Sequence, residues 1–498
     1  MDEETKDVLC LGNVGRLAPD LQPLVDPREV TIGIVHLGVG AFHRAHQAVY
    51  TEAAMQLSGQ LRWGIYAASE RAPDAAGTLS AQDCLYSVLV AGPQLRSLRV
   101  AGALRKAVFA RAEPDALTRA IADPAVKVVT LTVSEKGYRH NPATRRLRED
   151  DAELDADASG RPPVTVLGQL ARGLQARRRS DAGPLSVISC DNMPANGQLL
   201  QCLLSELVNR PAARYDAGLE GWAMENVRFP STMVDRIVPA TTDQWREEVS
   251  QRLGLVDRAP VVTEPFSQWV VQDDFAAARP AWERAGAEVV PDVAPFEALK
   301  LRALNGSHSA LAYLGLLAGD VTIAEALSRP NFEVFVRKML SDEVEPTLVL
   351  PPGADFGAYA GSVLARFANV SLPYRCEQVA GDGSQKLPQR ILGTVRDRLR
   401  SSSPFPHLAL VVAAWLRAIW LGADDHGRPF GLSDPLAGQL RASIGPSAGP
   451  AQVVEEALGT GEVFGEDLAG DDRFRASLQE AFMALARAGA VGAAGSVG

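Results

Sequence analysis

The chain has 498 residues, 46% apolar and 22% charged, enough for two or three domains around a large core. Its net charge of −10 excludes nucleic acid as a general partner, and no basic run with interleaved aromatics offers a local exception. Five cysteines, at 10, 84, 190, 202 and 376, show neither CxxC pairing nor metal-ligand spacing with histidine, so reduced thiols, no metal site and a cytoplasmic location are expected.

The opening MDEETKDVLCLGNVG is acidic and lacks a long apolar core, which argues against a signal peptide. Residues 1–29 read as an extension punctuated by Pro, Asp and Gly. Residues 31–37 (TIGIVHL) form a β-branched apolar run that ends in Gly38-Val39-Gly40. An amphipathic stretch over 42–57 and a second strand over 61–68 complete a βαβ unit. Two further buried strands, 126–133 and 185–189, run into Ser134-Glu135-Lys136 and Asp191-Asn192. In open parallel sheets the carboxyl ends of strands border the ligand crevice, so both polar clusters stand where a site belongs.

Residues 139–163, charged and Pro/Gly-punctuated, read as a surface loop. Beyond 290 helical periodicity takes over, at 296–317, 323–327, 332–340, 358–367, 389–399, 407–421 and 474–488. The run 407–421 is short of a membrane span and carries Arg417, so it reads as a core helix. The last eleven residues, small and Gly-rich, are expected to fray. The fold class expected is α/β: a Rossmann-type dinucleotide-binding domain over 1–290, then a mostly α-helical domain over 291–498.

Gly38 and Gly40 fit the first two positions of the dinucleotide fingerprint, one for the tight turn and one for close approach of a pyrophosphate. A helix N-terminus follows, with Phe42 and His43 in its first turn; its free N–H groups suit phosphate. His43 stands where the third glycine is usual. His43 or Arg44 is either a cofactor contact or part of a polar helix start. The acid that holds the adenosine ribose is absent at its usual spacing. The candidates are Glu70 and Asp74, with Asp74 assigned to the cofactor; two acids favour NAD, whereas Arg71 between them would suit a 2′-phosphate.

Lys300, Asn305 and His308 fall on one helix within an arc of about 140° at roughly 100° per residue. A proton acceptor, an amide donor and an imidazole on a face that packing alone would fill with apolar residues mark a site. A lysine desolvated among Leu299, Leu301 and Leu304 is a candidate general base. Asn192, at a strand end, and Asn305 are candidate donors to a developing alkoxide; Asn192 could equally cap a turn. His308, about 12 Å along the axis from Lys300, suits a more distant hydroxyl or a satisfied core position. Glu297 is an i,i+3 neighbour of Lys300 and could form a salt bridge with it.

HLGVGAFHRAHQAVY (36–50), LTVSEKGY (131–138), SCDNMPANG (189–197), STMVDRIVPAT (231–241), TEPFSQWV (263–270), PFEALKLRALNGSHSALAYLG (295–315) and DGSQKLPQR (382–390) together resemble the mannitol dehydrogenase family, the polyol-specific long-chain dehydrogenases/reductases. The resemblance runs from about residue 30 to 485. It implies zinc-independent hydride transfer between NAD and a ketose or polyol, in the cleft between a Rossmann-type and a helical domain. It implies a general acid/base at Lys300, a proton relay at Glu297, and substrate contacts at Asp235 and Lys386; an ion pair of Asp235 with Arg236 is the alternative. Residues 378–386 look like the branch that reduces fructuronate. Mannitol 2-dehydrogenases usually carry arginine where Gln378, the remaining candidate substrate residue, stands here. The expected partner is a small sugar acid or polyol, with no membrane and no nucleic acid, and the expected state is a monomer.

Overall fold

The computed structural model describes residues 7–70, 73–142, 144–445 and 448–497. Arg71 lies outside them. The chain divides into two compact units, one of residues 1–140 and 146–293, the other of 141–145 and 294–498.

Among its described residues the first unit holds twelve strands: β1 (Ile32–Leu37), β2 (Gly64–Ser69), β3 (Tyr86–Ala91), β4 (Arg96–Ala101), β5 (Leu104–Phe109), β6 (Val128–Leu131), β7 (Leu185–Ser189), β8 (Val227–Arg228), β9 (Thr232–Asp235), β10 (Val261–Thr263), β11 (Gln268–Gln272) and β12 (Glu288–Val290). Six form a parallel sheet in the order β5-β2-β1-β6-β7-β8. Alternate residues of β1 serve opposite faces, as the period-two geometry of a strand requires. Val35 and Leu37 join a core that includes Leu117, Leu170 and Leu203 from flanking helices; Ile34 joins another that includes Ala48, Met55 and Trp282. The order reverses at β1, with β2 on one side and β6 on the other. That switch point is where parallel sheets of this kind bind nucleotides. Two smaller sheets complete the unit, β10-β3-β4 and β12-β11-β9.

The N-terminal extension packs rather than trails. Leu9, Val14 and Leu17 are buried, and the buried Glu52 accepts N–H bonds from Leu24 and Gly102 at 2.8 and 2.9 Å. Burial pushes that carboxyl up to about 7. Residues 139–163 are not a plain loop. They contain the helix Ala152–Ala158, capped by Asp151, and the buried Asp157, whose carboxylate accepts from Val164 N–H and from the N–H and hydroxyl of Thr165.

The second unit is helical among its described residues. The greasy run forms the helix Pro406–Leu421, with Arg417 paired to Asp425 at 3.1 Å. No helix among the described residues is long and apolar enough to cross a membrane. The tail does not fray. Helix continues to Val497 past a break at Gly489, Asp425 Oδ2 accepts from Ala490 N–H at 2.7 Å, and Ala490, Ala493 and Ala494 are buried. Small side chains that looked featureless in sequence allow close packing here.

Candidate active site

The glycine turn stands at the switch point. Gly38 has φ +97°, and a Cβ there would lie 2.1 Å from the Thr132 carbonyl oxygen, so the turn demands glycine. Gly40 is different: it is exposed at φ −78°, and a Cβ would meet nothing nearer than 3.9 Å. No protein atom requires glycine at 40. The space in front of it fits a group from outside, which is what a pyrophosphate drawn against the backbone needs.

The helix behind the turn is shorter than expected. Ala41–Ala45 is followed by a non-helical His46 (φ −125°, ψ −88°), and a new helix starts at Gln47. So short a helix carries little macrodipole, and anion binding falls to the first-turn amides. Phe42, half-buried, stacks on His46 at 5.0 Å. Arg44 donates to the carbonyls of Ala259 and Gly40 and lies over the Tyr86 ring, so it braces the turn. His43 turns inward: it is fully buried, its ring flat against His36 of β1 with 3.3 Å between centroids and 10° between planes. Burial pushes His36 down to about 3; burial and the adjacent His36 hold His43 well below its ordinary value. From this position His43 packs against the strand beneath the turn. Asp74 is exposed in the first turn of the helix Pro73–Ser80. Glu70 directly follows β2, next to β1, where the ribose-binding acid of such folds stands. Both acids thus lie just beyond β2, Glu70 at the strand end and Asp74 in the helix that follows.

At the ends of β6 and β7 the two polar clusters meet. Asp191 accepts from the N–H groups of Val133 and Ser134 at 3.1 and 2.8 Å and from the Tyr138 hydroxyl at 2.8 Å. Burial pushes its carboxyl up to about 6 against the pull of those donors. Asn192 follows, half-buried. Asn196 ties this segment to β9, donating to the carbonyls of Asp191 and Thr232 and accepting from Thr232 N–H, each at 2.9 Å. Asp235 is buried at the end of β9, opposite Gln268 of β11. Arg236 directs its guanidinium at the carbonyls of Ala45 and Glu264.

In the second unit the helix that carries Lys300 is not uniform. Residues Ala294–Leu299 and Gly306–Ala318 are α-helical, and Lys300–Asn305 between them is a π turn, with Gly306 N–H reaching back to Leu301 O. The 100° spacing assumed from sequence therefore fails here. An i→i+5 turn sets residue 305 nearly over residue 300, closer than an α-helix would, and such turns concentrate at functional sites. Glu297, Lys300, Asn305 and His308 are all at most 8% exposed.

His308 lies against Phe367 and Tyr374, with centroids at 4.7 and 5.0 Å. Burial, then the charges of Arg390, Lys386, Arg366 and Lys300, hold its pKa well below the ordinary value, so the imidazole is neutral. Its Nε2 and the Oδ1 of Asn305 are buried without a hydrogen-bond partner. An orphan polar atom of this kind costs about 1–3 kcal/mol, which a polar ligand would recover. Lys386, in the helix Gly383–Leu387, donates to Val379 O at 3.3 Å. Arg390 sits on another π turn, Pro388–Leu392, and donates to Ser309 Oγ at 3.2 Å. A Cβ on Gly306, just past the Lys300–Asn305 turn, would come within 3.2 Å of Arg390 O, so these two turns approach each other where glycine is present. Arg390 escaped the sequence reading although it lies four residues beyond Lys386, one helical turn on. Gln378 is exposed on the helix Cys376–Ala380, one residue before Val379, whose carbonyl Lys386 engages. Among the described residues no group of three or more His, Cys, Asp or Glu could hold a metal ion.

A Rossmann-type parallel sheet with a glycine turn at its switch point, followed by a helical unit carrying a buried lysine, defines an oxidoreductase of the dinucleotide-dependent class. The chain matches the mannitol dehydrogenase Rossmann domain over residues 32–284 and the mannitol dehydrogenase C-terminal domain over 292–486. It is 39% identical over 483 residues to an uncharacterized oxidoreductase, YdfI, of Escherichia coli (strain K12), covering 96% of this chain and 98% of that one. It is 37% identical over 477 residues to the D-mannonate oxidoreductase of the same organism, covering 95% and 97%. The Pseudomonas fluorescens mannitol 2-dehydrogenase, solved as a ternary complex with NAD and D-mannitol, superposes with a TM-score of 0.91 at 32% identity over 98% of this chain and 99% of that one. The chain belongs to the mannitol dehydrogenase family of oxidoreductases.

Proposed function

We propose that this protein is a cytosolic, NAD-dependent reductase of a keto sugar acid that interconverts D-fructuronate and D-mannonate. The observation that carries the reading is the surroundings of His308: a neutral, buried imidazole with an open Nε2, together with the unpartnered Oδ1 of Asn305 and the field of four cations. Orphan polar groups suit hydroxyls, and clustered cations suit a carboxylate. The likeness to D-mannonate oxidoreductase over nearly the whole of both chains supports the same substrate class.

Gly38, Gly40 and the amides of the Phe42 turn would hold the cofactor pyrophosphate, and Glu70 a free ribose hydroxyl, which favours NAD over its 2′-phosphorylated form. Bound NADH supplies the hydride. Lys300 gives a proton to the ketone oxygen, and takes it back in the reverse direction; Glu297 passes that proton to solvent. Asn192 and Asn305 donate N–H groups to the oxygen as charge develops. His308 and Asp235 hold sugar hydroxyls, and Lys386 the carboxylate. Gln378 has no part in the proposal because its side chain is exposed.

The test is NADH oxidation with D-fructuronate and D-fructose side by side. Turnover of fructuronate with weak or absent turnover of fructose is expected. Activity on fructose alone would reassign the protein as a mannitol 2-dehydrogenase, and NADH binding without oxidation by any hexuronate, hexulose or pentulose would make it a non-catalytic cofactor sensor.

A further inference from the structure

The dinucleotide fingerprint ends on a third glycine so that helix and strand can approach closely. This chain has His43 there, an imidazole in place of a hydrogen, and the helix still packs on the strand through it. The reason is on the strand. His36 of β1 presents its ring to His43, and the two planes lie 3.3 Å apart between centroids at 10°. Both rings are fully buried.

His36 is fixed from the other side as well. Its Nε2 lies 3.0 Å from Gly38 O and from Thr132 Oγ1, and its Nδ1 2.7 Å from Thr130 Oγ1. A carbonyl only accepts, so Nε2 carries the proton and Nδ1 accepts from the Thr130 hydroxyl. The Gly38 carbonyl receives a second bond from Thr132 Oγ1 at 2.8 Å, and the Gly38 N–H donates to Ala68 O at 2.8 Å. Both ends of the Gly38 residue are thus tied to neighbouring strands, one through His36. His43 then rests on that same ring from the helix side, three residues after Gly40.

We infer that the His36–His43 stack takes over the task of the missing third glycine: it sets the height of the Gly38–Gly40 turn over the sheet and thereby the affinity for the cofactor pyrophosphate. The inference rests on the cofactor assignment above. Both are positioning residues. Neither touches the reacting atoms, so their removal acts on cofactor binding and leaves the chemistry and the sugar site alone. A flat ring at 43 is what the function needs, and its nitrogens are secondary.

The experiment measures NADH Kd by fluorescence, and kcat and KM for both substrates, on full-length H43A, H43L, H43F and H36A/H43A, each checked for folding by thermal melt. H43A and H43L should raise the NADH Kd and KM at least tenfold, with kcat and the sugar KM within threefold of wild type. H43F should restore the NADH Kd to within threefold, and the double variant should bind no more weakly than H43A. H43L, which fills the volume without a plane, serves if H43A does not fold. An H43A or H43L protein that folds and binds NADH as wild type does, or a kcat loss that H43F fails to reverse, overturns the inference alone. A wild-type protein that binds no nicotinamide cofactor overturns the functional reading, and the inference with it.

Discussion

Two histidines of the helical unit are buried to nearly the same degree and live in opposite fields. His407 begins the core helix Pro406–Leu421 with its Nδ1 2.6 Å from Glu343 Oε1, and that carboxylate also accepts the N–H groups of His407 and Leu408 at 2.8 and 2.9 Å. His308 faces Arg390, Lys386, Arg366 and Lys300 instead. Each ring leaves Nε2 without a partner, so an orphan nitrogen alone does not mark a site. The sign of the surrounding charge does. An anion already in place makes a helix cap; cations gathered around a neutral ring are what the proposed sugar-acid site would need.

That contrast can be broken, and the sharpest attempt is at the proposed sugar-acid site. Lys300→Ala should lower kcat by about 10²–10⁴-fold, the range for a general acid/base, while the protein still binds NADH. An unchanged turnover would remove Lys300 from the chemistry. At the cap, Glu343→Ala strands the imidazole and two helix amides and should cost about 3 kcal/mol of stability. His308→Leu should abolish sugar turnover yet stay within about 1 kcal/mol of wild type in denaturant melts, since it deletes an unsatisfied group. Equal destabilisation by both would erase the distinction between them.

Acid separates the two regions more gently. The folded pKa of His308 lies well below its usual 6.5, so below pH 6.5 the unfolded chain binds a proton that the folded chain refuses. Its contribution is present above pH 6.5 and is lost as pH falls below it. The stability of His308→Leu, measured by chemical melts from pH 8 to 5, should therefore fall less than that of wild type. The smallest effect belongs to Gln378. As an exposed side chain, its change to alanine should alter kcat/KM by no more than about twofold. A large loss would return it to the substrate site.

The spacing of Lys300, Asn305 and His308 was legible because polar groups of complementary chemistry stood in an apolar helix. The π turn beneath them was not, because nothing in six residues distinguishes i→i+5 from i→i+4 bonding; the neighbours that pack beside it, Arg390 and Ile391, lie more than eighty positions away. For the same reason Arg390 went unnoticed while Lys386 did not. The strand that ends in Gly38 and the run 407–421 were read from local apolarity and match helix and strand in the structure. The inward turn of His43 depends on His36 across a strand–helix packing that no local pattern encodes. The C-terminal alanines were misjudged because small residues in sequence look alike whether loose or closely packed.

The π turn also fixes a phase. Everything after it, from His308 through Ala318, is indexed to the first half of the helix through one extra residue per turn. Removing one residue between 301 and 304 would let the segment relax to α geometry with little rotation of the downstream half, because the π turn is what absorbs the extra residue. Lys300 and Asn305 would become i,i+4 neighbours, and His308 would keep its stack with Phe367 and Tyr374. A deletion within the α-helical Gly306–Ala318 would instead turn everything beyond it by about 100°, so the helix should tolerate the loss of a residue at the π turn better than anywhere after it.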